Sequence, residues 1–313
     1  MNQNRLLAQI GLVLTTLAWG ATFVLVKDSL EYAKPFTFIF FRFIIATIAI
    51  LPFIYLKREK SFFNKFNNDE IKFGMICGFL LFIGYAFQNF GLEITIPSKS
   101  AFITSVSVLI VPILLVFYKH EITTSKLWIS IFIVIGGLYL LINPGSGVEQ
   151  SNTKYGEEAF LPNIGDIFTF GCAVFFAMHI VAQSDAVKNK INLIRFFIIQ
   201  CLSVSVFAGL CALIVNEPSV PWNDANINIL YLSLLINGVI ATTFAIFMMI
   251  WAQKILSPGE TAVIFSLEPI FAALFSVYMG VENFGLWQWI GGIIVVIAVI
   301  YYSKSSKKTI GQP

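Results

Sequence analysis

Long apolar stretches separated by short polar segments run along the whole chain, and this pattern predicts membrane-spanning helices. Each stretch comes close to the roughly 20 residues that an α-helix needs to cross the hydrocarbon core of a bilayer. They do not show the alternation of apolar and polar residues that marks the strands of a membrane barrel. The sequence therefore predicts an all-α membrane protein with ten transmembrane helices, at 6–26, 36–56, 73–91, 101–118, 127–142, 166–183, 194–215, 227–252, 261–280 and 286–302.

A long polar segment divides these helices into two groups of five. It runs from Asn143 to Asn163 and is rich in Gly, Ser, Asn and Glu. Such a composition is typical of a connecting loop rather than of a buried element. The predicted organisation is a first five-helix unit at 1–142, an extracytoplasmic linker at 143–163, a second five-helix unit at 164–303 and a cytoplasmic tail at 304–313.

The two units have related sequences. A shift of 161 positions, without a gap, superimposes Pro97 on Pro258, Ala101 on Ala262, Ser105 on Ser266, Glu121 on Glu282 and Trp128 on Trp289. A weaker match at a shift of 158 places Arg42 on Gln200. Because each unit has an odd number of helices, the second enters the membrane from the opposite side, which predicts two inverted repeats. Inverted repeats are typical of transporters whose substrate site lies between the halves.

The composition excludes a soluble protein. Of the 313 residues, 58% are hydrophobic and 12% are charged, whereas soluble domains carry about 25% charged residues. The four cysteines lie in apolar stretches and have neither metal-ligand nor redox-motif spacing. We therefore expect no metal, no cofactor and no nucleic-acid partner. The expected partners are a small-molecule substrate and the lipid bilayer, and we favour a monomer over an oligomer.

Basic residues predict the orientation in the membrane. If the N-terminus lies in the cytoplasm, the inner loops and tails hold fifteen Lys and Arg residues, and the outer loops hold four. Cytoplasmic loops of membrane proteins carry the excess of basic residues. Both termini are therefore expected on the cytoplasmic side.

Glu268, followed by Pro269, stands inside a predicted transmembrane helix. A carboxylate at the centre of a membrane helix costs at least about 2.5 kcal/mol, so we expect it to face protein or a water-filled cavity. It is either a protonatable group linked to substrate binding, and then the candidate for proton coupling, or a cap for backbone amides freed where the proline bends the helix. Its repeat counterpart is the neutral Ser107, so the carboxylate belongs to one half only.

Two further polar side chains within predicted helices, Arg42 and His179, each have two interpretations. Arg42 either binds a substrate carboxylate through its planar guanidinium, or it reaches towards the membrane surface or holds backbone carbonyls. Gln200, at the equivalent place in the second half, indicates that a long polar donor is required there. His179 is either a functional group or a satisfied packing group, and it has no second histidine at metal-ligand spacing.

Amides and aromatic rings complete the candidate site. Tyr85, Gln88 and Asn89 follow one another at helical spacings of three and four residues, which places them on roughly one face. Trp19, unlike the other tryptophans, lies far from a helix end. The candidate substrate-binding residues are Trp19, Tyr85, Gln88, Asn89, Phe102, Phe176, His179, Asn237, Phe265 and Glu268, with Arg42 and Gln200 as polar support.

Several segments together resemble a known family. They are LAWGATFVLVK (17–27), FRFIIA (41–46), FQNFGLEITIPSKSAFI (87–103), GGLYLL (136–141), GDIFTFGCAVFFAMHIV (165–181), AQKILSPGETAVIFSLEPIFAAL (252–274) and WIGGIIVV (289–296). In order and spacing they are similar to the EamA-type branch of the drug/metabolite transporter superfamily, over nearly the whole chain. The resemblance implies two copies of a five-helix domain, a substrate cavity between them, and export of amino acids or related small metabolites.

The expected function is therefore secondary active transport by alternating access across a bacterial cytoplasmic (inner) membrane, with export as the expected direction. A carrier of a nucleotide-sugar or of a bulky cofactor-like substrate, working by uptake or exchange, is the alternative within the same superfamily. An intramembrane enzyme would need a nucleophile with a base, paired aspartates or a metal-ligand pair, and the predicted helices contain none of these. A channel is a further alternative, which saturable transport stimulated by counter-flow would exclude.

Overall fold

A computed structural model describes residues 3–57, 67–120, 123–142, 162–189, 191–224 and 226–305. The described residues form ten helical spans: α1 Gln3–Ser29, α2 Pro35–Tyr55, α3 Asn68–Ile94, α4 Pro97–Phe117, α5 Ser125–Ile142, α6 Ile164–Lys188, α7 Leu193–Ile214, α8 Asn228–Ala252, α9 Pro258–Tyr278 and α10 Leu286–Ser305. By length and composition, eight of them could cross a membrane, and α5 and α10 contain shorter apolar stretches. The prediction of an all-α membrane protein is confirmed. The predicted linker and tail lie largely outside the described residues.

Two of the spans, α4 and α9, are broken at equivalent places. The segments of α4 are Pro97–Ser105 and Ser107–Phe117, and those of α9 are Pro258–Phe265 and Glu268–Tyr278. The break in α9 lies directly before Glu268 and Pro269, where the proline predicts a bend. In α4 the equivalent position is Val108, and a proline, Pro112, lies four residues farther along the same segment. The two repeats therefore break at the same place although their prolines stand at different positions.

Two other spans depart from regular helix. In α2, the helix stops at Ala49 and resumes at Leu51, with Pro52 near the start of the second segment. In α8, a π-helical segment, Val239–Phe244, lies between two α-helical ones. A π-helical turn closes its hydrogen bonds one residue farther along, and such turns are frequent at functional sites. The sequence pattern predicted neither interruption, because both leave the apolar character of the span unchanged.

Helices α3 and α6 begin earlier than the apolar pattern predicted, because capping boxes extend them. Asn67 and Glu70 cap the start of α3, and Asn163 and Asp166 cap the start of α6. In both boxes the acidic side chain accepts a hydrogen bond from the backbone N–H of the asparagine that caps the helix. The carboxylates also lie at the positive end of the helix dipole, which stabilises them.

Contacts at one end of the bundle confirm that the two repeats are inverted. Lys27, in the last turn of α1, donates to the carbonyl oxygen of Thr95 at 2.8 Å. The hydroxyl of Thr95 donates to Asp166, in the first turn of α6, at 3.0 Å. The last turn of α1 and the first turn of α6 therefore lie at the same end. These helices are each the first of their repeat, so the repeats run in opposite directions.

Glycines allow close helix contacts at two related crossings. A Cβ atom at Gly78, in α3, would lie 2.8 Å from the carbonyl oxygen of Gln200, in α7. A Cβ atom at Gly238, in α8, would lie 3.2 Å from the carbonyl oxygen of Arg42, in α2. The two residues that supply these carbonyls, Arg42 and Gln200, are placed on each other by the shift of 158. The crossing of α3 with α7 is therefore the counterpart of the crossing of α8 with α2.

Two ion pairs also occupy equivalent positions, with their charges exchanged. Arg5 of α1 pairs with Glu260 of α9, and Lys99 of α4 pairs with Asp166 of α6, the latter at 2.7 Å. The shift of 161 places Arg5 on Asp166 and Lys99 on Glu260. Each pair joins the first half to the second, and the two pairs lie at opposite ends of the bundle.

Three apolar clusters form the core of the described residues: one around Phe23, Leu92 and Leu230, at the end where α1 and α3 finish, and two larger ones. The first of the larger two contains Leu12, Val134 and Val299, together with further residues of α4, α6, α8 and α9. The second is built around Phe43 and Phe197, together with further residues of α3, α6 and α8. The polar side chains discussed below lie between these two larger clusters, and Trp19 contacts both of them.

Candidate functional site

Two cavities meet between the halves and share a wall of Trp19, Tyr85, Phe176 and Glu268. The first is called the charged cavity, and its other lining residues are Thr22, Phe23, Val26, Arg42, Gln88 and Leu92. The second is called the apolar cavity, and its other lining residues are Leu81, Thr104, Ser107, His179, Ile180, Ile246, Met249 and Phe265.

The cavities lie on opposite sides of this shared wall. Val26 lies near the end of α1 and Leu92 near the end of α3, so the charged cavity extends towards the Lys99–Asp166 pair. Met249 lies in the last turns of α8, so the apolar cavity extends towards the Arg5–Glu260 pair. Each cavity thus faces one end of the bundle.

Arg42 points into the bundle and is 3% exposed, so it does not reach towards the membrane surface. Its Nε donates to the Thr242 hydroxyl at 2.7 Å, and Nη2 donates to the Tyr85 hydroxyl at 3.0 Å. Nη2 also lies 3.3 Å from the carbonyl oxygen of Ala241. The guanidinium stands over the Tyr85 ring, 4.3 Å from its centroid, at a distance that favours a cation–π interaction. These contacts hold its planar group at the wall of the charged cavity.

The π-helical segment of α8 supplies two of these partners. Thr242 and Ala241 both belong to it, and the carbonyl oxygen of Ala241 also accepts from Trp19 Nε1 at 2.7 Å. Because the irregular turn leaves this carbonyl accessible, one backbone atom positions both Trp19 and Arg42. The local irregularity therefore organises one side of the site.

Glu268 is the first residue of the second segment of α9 and lines both cavities. It is 6% exposed, and within the described residues it forms neither a hydrogen bond nor an ion pair. Its side chain does not cap the backbone amides of the helix break, because no side-chain cap is present there. The structure therefore does not realise the capping interpretation, and the carboxylate is directed to the cavities.

Two aromatic pairs surround this carboxylate. The rings of Trp19 and Phe265 meet edge to face with centroids 4.9 Å apart, and those of Tyr85 and Phe176 do so at 5.2 Å. Edge-to-face contacts hold rings in defined orientations. The four rings therefore form a rigid apolar partition between the two cavities, with Glu268 as its charged member.

His179 lines the apolar cavity and is 3% exposed. Its Nε2 atom makes no hydrogen bond to another described residue. Gln200 is the polar side chain beside it, and neither atom of the Gln200 amide forms a geometrically sound hydrogen bond in the described part of the chain. A buried polar atom without a partner is destabilising, so its presence at a cavity wall indicates a role towards what the cavity contains.

Three predicted site residues line neither cavity. Phe102 packs, half-buried, against the first of the two larger apolar clusters. The Asn237 amide donates to the backbone of Ser233 at 3.0 Å, so it serves its own helix. Asn89 is buried, and its amide forms no hydrogen bond with the described residues. The cavity linings also include residues that the prediction missed. Three of them, Thr22, Phe23 and Val26, follow Trp19 at the spacing of one helix face, so the sequence could have predicted them.

The comparisons with known proteins agree with this architecture. The EamA-like transporter family matches residues 6–143 and 163–304. The chain belongs to this family. An uncharacterized transporter of Archaeoglobus fulgidus is 30% identical over 302 residues, covering 96% of this chain and 87% of that protein. An S-adenosylmethionine uptake transporter of Rickettsia bellii is 22% identical, covering 87% of this chain and 85% of that protein.

A crystal structure with 16% sequence identity superimposes with a TM-score of 0.72, covering 97% of this chain and 99% of the other. At this identity the likeness concerns the fold alone. Family membership and the apolar helices together make this an integral membrane transporter rather than an enzyme. Its partners are a small-molecule substrate and membrane lipid.

Proposed function

We propose that this EamA transporter carries zwitterionic amino acids, or related small metabolites, by alternating access and secondary active transport. The observation that carries the proposal is the pair of opposite charges in the charged cavity. Arg42 and Glu268 line the same space, yet neither forms an ion pair within the described residues. A substrate with a carboxylate and an amine can satisfy both, the carboxylate at Arg42 and the amine at Glu268.

The same cavity argues against a nucleotide-sugar. Diphosphate groups require several positive charges or a metal ion, whereas Arg42 is the single cation among the described residues that line the two cavities. A zwitterion brings equal and opposite charges, which matches one cation and one carboxylate. This balance makes amino acids the better candidate class.

A larger zwitterion is the second candidate. The two cavities share four wall residues, so together they offer more space than either alone. The S-adenosylmethionine transporter of Rickettsia bellii is a relative with a bulky substrate that includes an amino-acid group. The same Arg42 and Glu268 can bind that group, in which case the transporter works by uptake or exchange.

Export across the bacterial cytoplasmic membrane, with both termini in the cytoplasm, completes the proposal. The excess of basic residues in the loops at the end where the chain begins supports this orientation. The inverted repeats support alternating access, because exchanging the conformations of the two halves opens the site to the other side.

Transport in proteoliposomes tests the proposal. Vesicles containing the purified protein are loaded with unlabelled amino acid, and entry of the labelled amino acid is followed. We expect saturable counter-flow that a set of zwitterions inhibits, whereas the matching amines without a carboxylate do not. Absence of counter-flow for every zwitterion, including S-adenosylmethionine, contradicts the proposal.

The Glu268→Gln substitution tests proton coupling. The amide keeps the shape of the side chain but can neither exchange a proton nor pair with the substrate's amine. Counter-flow should therefore persist only at a raised KM, while the response of net flux to a pH gradient is lost. The matched control is Glu93→Gln, which removes a carboxylate that pairs with Lys34 at the end of α3 and lines neither cavity. Unchanged dependence on the pH gradient in Glu268→Gln removes this residue from the coupling mechanism.

A further inference from the structure

Two features of the molecule carry inferences beyond the proposed function. The first is the apolar cavity with its single buried histidine, and it rests on the proposed function because it names a property of the substrate. The second is the pair of ion pairs at repeat-equivalent positions, and it stands on the fold alone.

The apolar cavity differs from the charged cavity in the groups that it offers. Its wall consists mainly of large apolar side chains, to which Thr104, Ser107 and His179 add polar atoms. The Thr104 hydroxyl already contacts the Cys172 sulfur at 3.8 Å. His179 Nε2 lies beside the Gln200 amide, and neither side chain completes a well-aligned hydrogen bond in the described residues although both are buried. His179, with Gln200 as its neighbour, therefore offers a ring nitrogen that can form a directed hydrogen bond inside an apolar space.

We propose that the apolar cavity receives the substrate's side chain and that His179 hydrogen-bonds a polar atom carried by that side chain. The amino and carboxylate groups occupy the charged cavity, and the side chain passes the ring of Phe176 to reach His179. The preferred substrate then has a large apolar side chain with one hydrogen-bonding group. A buried group left unpaired by the wrong substrate produces strong discrimination.

Transport of matched zwitterions by His179→Leu tests this assignment. Phenylalanine and tyrosine differ by one hydroxyl, tryptophan and 1-methyltryptophan differ by one N–H, and alanine serves as the short control. The native protein should favour the hydrogen-bonding member of at least one pair by about tenfold in kcat/KM. His179→Leu should abolish this preference and His179→Gln should retain part of it, with the alanine transport rate of each variant as its own reference.

The possible outcomes distinguish a failure of the proposed function from a failure of the role assigned to His179. If no zwitterion is transported, the proposed function fails. If zwitterions are transported and the ratio within each pair is the same in the native protein and in His179→Leu, the role of His179 fails while the proposed function stands.

The second inference concerns the ion pairs Arg5–Glu260 and Lys99–Asp166. Each links the first turn of a broken helix, α9 or α4, to the first turn of α1 or α6. The side chains of both pairs are at most 18% exposed. In both pairs the first half supplies the cation and the second half supplies the anion. An ion pair that is largely withdrawn from water is weakly screened and is destabilised strongly when one partner is lost.

We infer that these ion pairs are two opposed locks, each of which closes the nearer cavity to its end of the bundle. Breaking the Arg5–Glu260 pair lets the apolar cavity open, and breaking the Lys99–Asp166 pair lets the charged cavity open. Both pairs are formed in this structure, which accordingly has both ends held together. In a conformation that is open to one side, one ion pair is broken and the other is formed. The relative strength of the two pairs therefore sets which side the empty transporter faces.

Accessibility of single cysteines tests the locks in a background from which the native cysteines have been removed. Met249→Cys reports on the apolar cavity and Thr22→Cys on the charged cavity. Arg5→Gln with Glu260→Gln should raise the labelling rate of the first reporter by about tenfold and lower that of the second. Lys99→Gln with Asp166→Asn should produce the opposite pattern.

Matched variants show whether the ion pairs themselves cause the changes in labelling rate. The charge exchange Arg5→Glu with Glu260→Arg restores the attraction and should return both labelling rates towards the native values. The controls neutralise more exposed pairs at the same ends, Lys119–Asp185 and Lys34–Glu93, and should leave the rates unchanged. If both reporters change in the same direction, or if the controls act as strongly as the locks, the inference is wrong.

Discussion

Arg42 shows at the residue scale how tertiary contacts decide between two interpretations of one charge. From the sequence, binding a substrate and reaching towards the membrane surface were both open. The structure turns the side chain inward, where Thr242, Tyr85 and the Ala241 carbonyl fix three of its donor directions. No local pattern in α2 contains this information, because the partners lie far along the chain.

We expect Arg42→Gln to weaken substrate binding while the protein remains folded. The amide keeps a long polar donor, as at Gln200, but it loses the charge that pairs with a carboxylate. Loss of a hydrogen bond to a charged group costs about 1.5–3 kcal/mol, so the substrate Kd should rise by roughly 10- to 150-fold. Ligand-induced thermal shift of the purified protein measures this change. Arg195→Gln, which breaks the buried Arg195–Glu70 ion pair and lines neither cavity, is the control for loss of stability alone.

A Kd of Arg42→Gln within about twofold of the native value would show that the guanidinium supports the fold rather than the substrate. Loss of binding in Arg195→Gln as well would show that unfolding, not loss of the site, is being measured. The comparison therefore distinguishes a binding role from a structural one.

At the element scale, the breaks in α4 and α9 place Ser107 and Glu268 at equivalent positions against the cavities. Apolar content and length predicted the existence of both spans, and the proline suggested the bend in α9. The break in α4 was not predicted, because Val108 stands where α9 has its proline. The half-helices of α4 pack against α6 and those of α9 against α1, and a sequence pattern does not record that packing.

Gly20 makes the close approach of α1 to α9 possible, and we expect Gly20→Ala to destabilise the protein. A Cβ atom there would lie 2.6 Å from Phe271 Cβ and 2.8 Å from the backbone oxygen of Glu268. Overpacking of this kind costs about 1–3 kcal/mol in unfolding free energy and should displace Glu268. Unfolding in mixed detergent micelles measures the effect.

The control for this prediction is Gly136→Ala, at a position where an added Cβ meets no atom within 4 Å. It should leave the unfolding free energy unchanged or raise it slightly, since alanine favours helix. Equal losses in the two variants would contradict the assignment of Gly20 to a tight helix crossing.

The π-helical segment gives a second prediction at this scale. Thr242→Val keeps the size of the side chain but removes the acceptor of Arg42 Nε, leaving a buried donor unpaired. We expect the unfolding free energy to fall by about 1–3 kcal/mol and substrate affinity to fall with it. Thr242→Ser, which retains the hydroxyl, should behave much more like the native protein. If both variants are alike, the hydrogen bond does not position Arg42.

For the whole molecule, the inverted arrangement of the two halves leads to a prediction about orientation. Lys34 and Lys254 are both exposed and lie at opposite ends of the bundle. With both termini in the cytoplasm, Lys34→Cys should react with a membrane-impermeant maleimide in intact cells, and Lys254→Cys only after permeabilisation. The reverse result would place the termini outside and overturn the proposed direction.

By itself, the sequence determined the membrane class, the number of helices, the repeat and its inversion. These features depend only on the length and hydrophobicity of each segment and on the odd number of helices per repeat, because the bilayer requires apolar helices of a fixed length. It also marked Glu268, Trp19 and Tyr85, since polar or large aromatic residues at membrane depth are costly or conspicuous without a role. Only the tertiary structure decided which of the marked residues share a cavity, because that depends on contacts between helices far apart in the chain. The exchange of charges between the two end ion pairs likewise becomes visible only once the folded halves face each other, since each partner taken alone is an ordinary charge at a helix end.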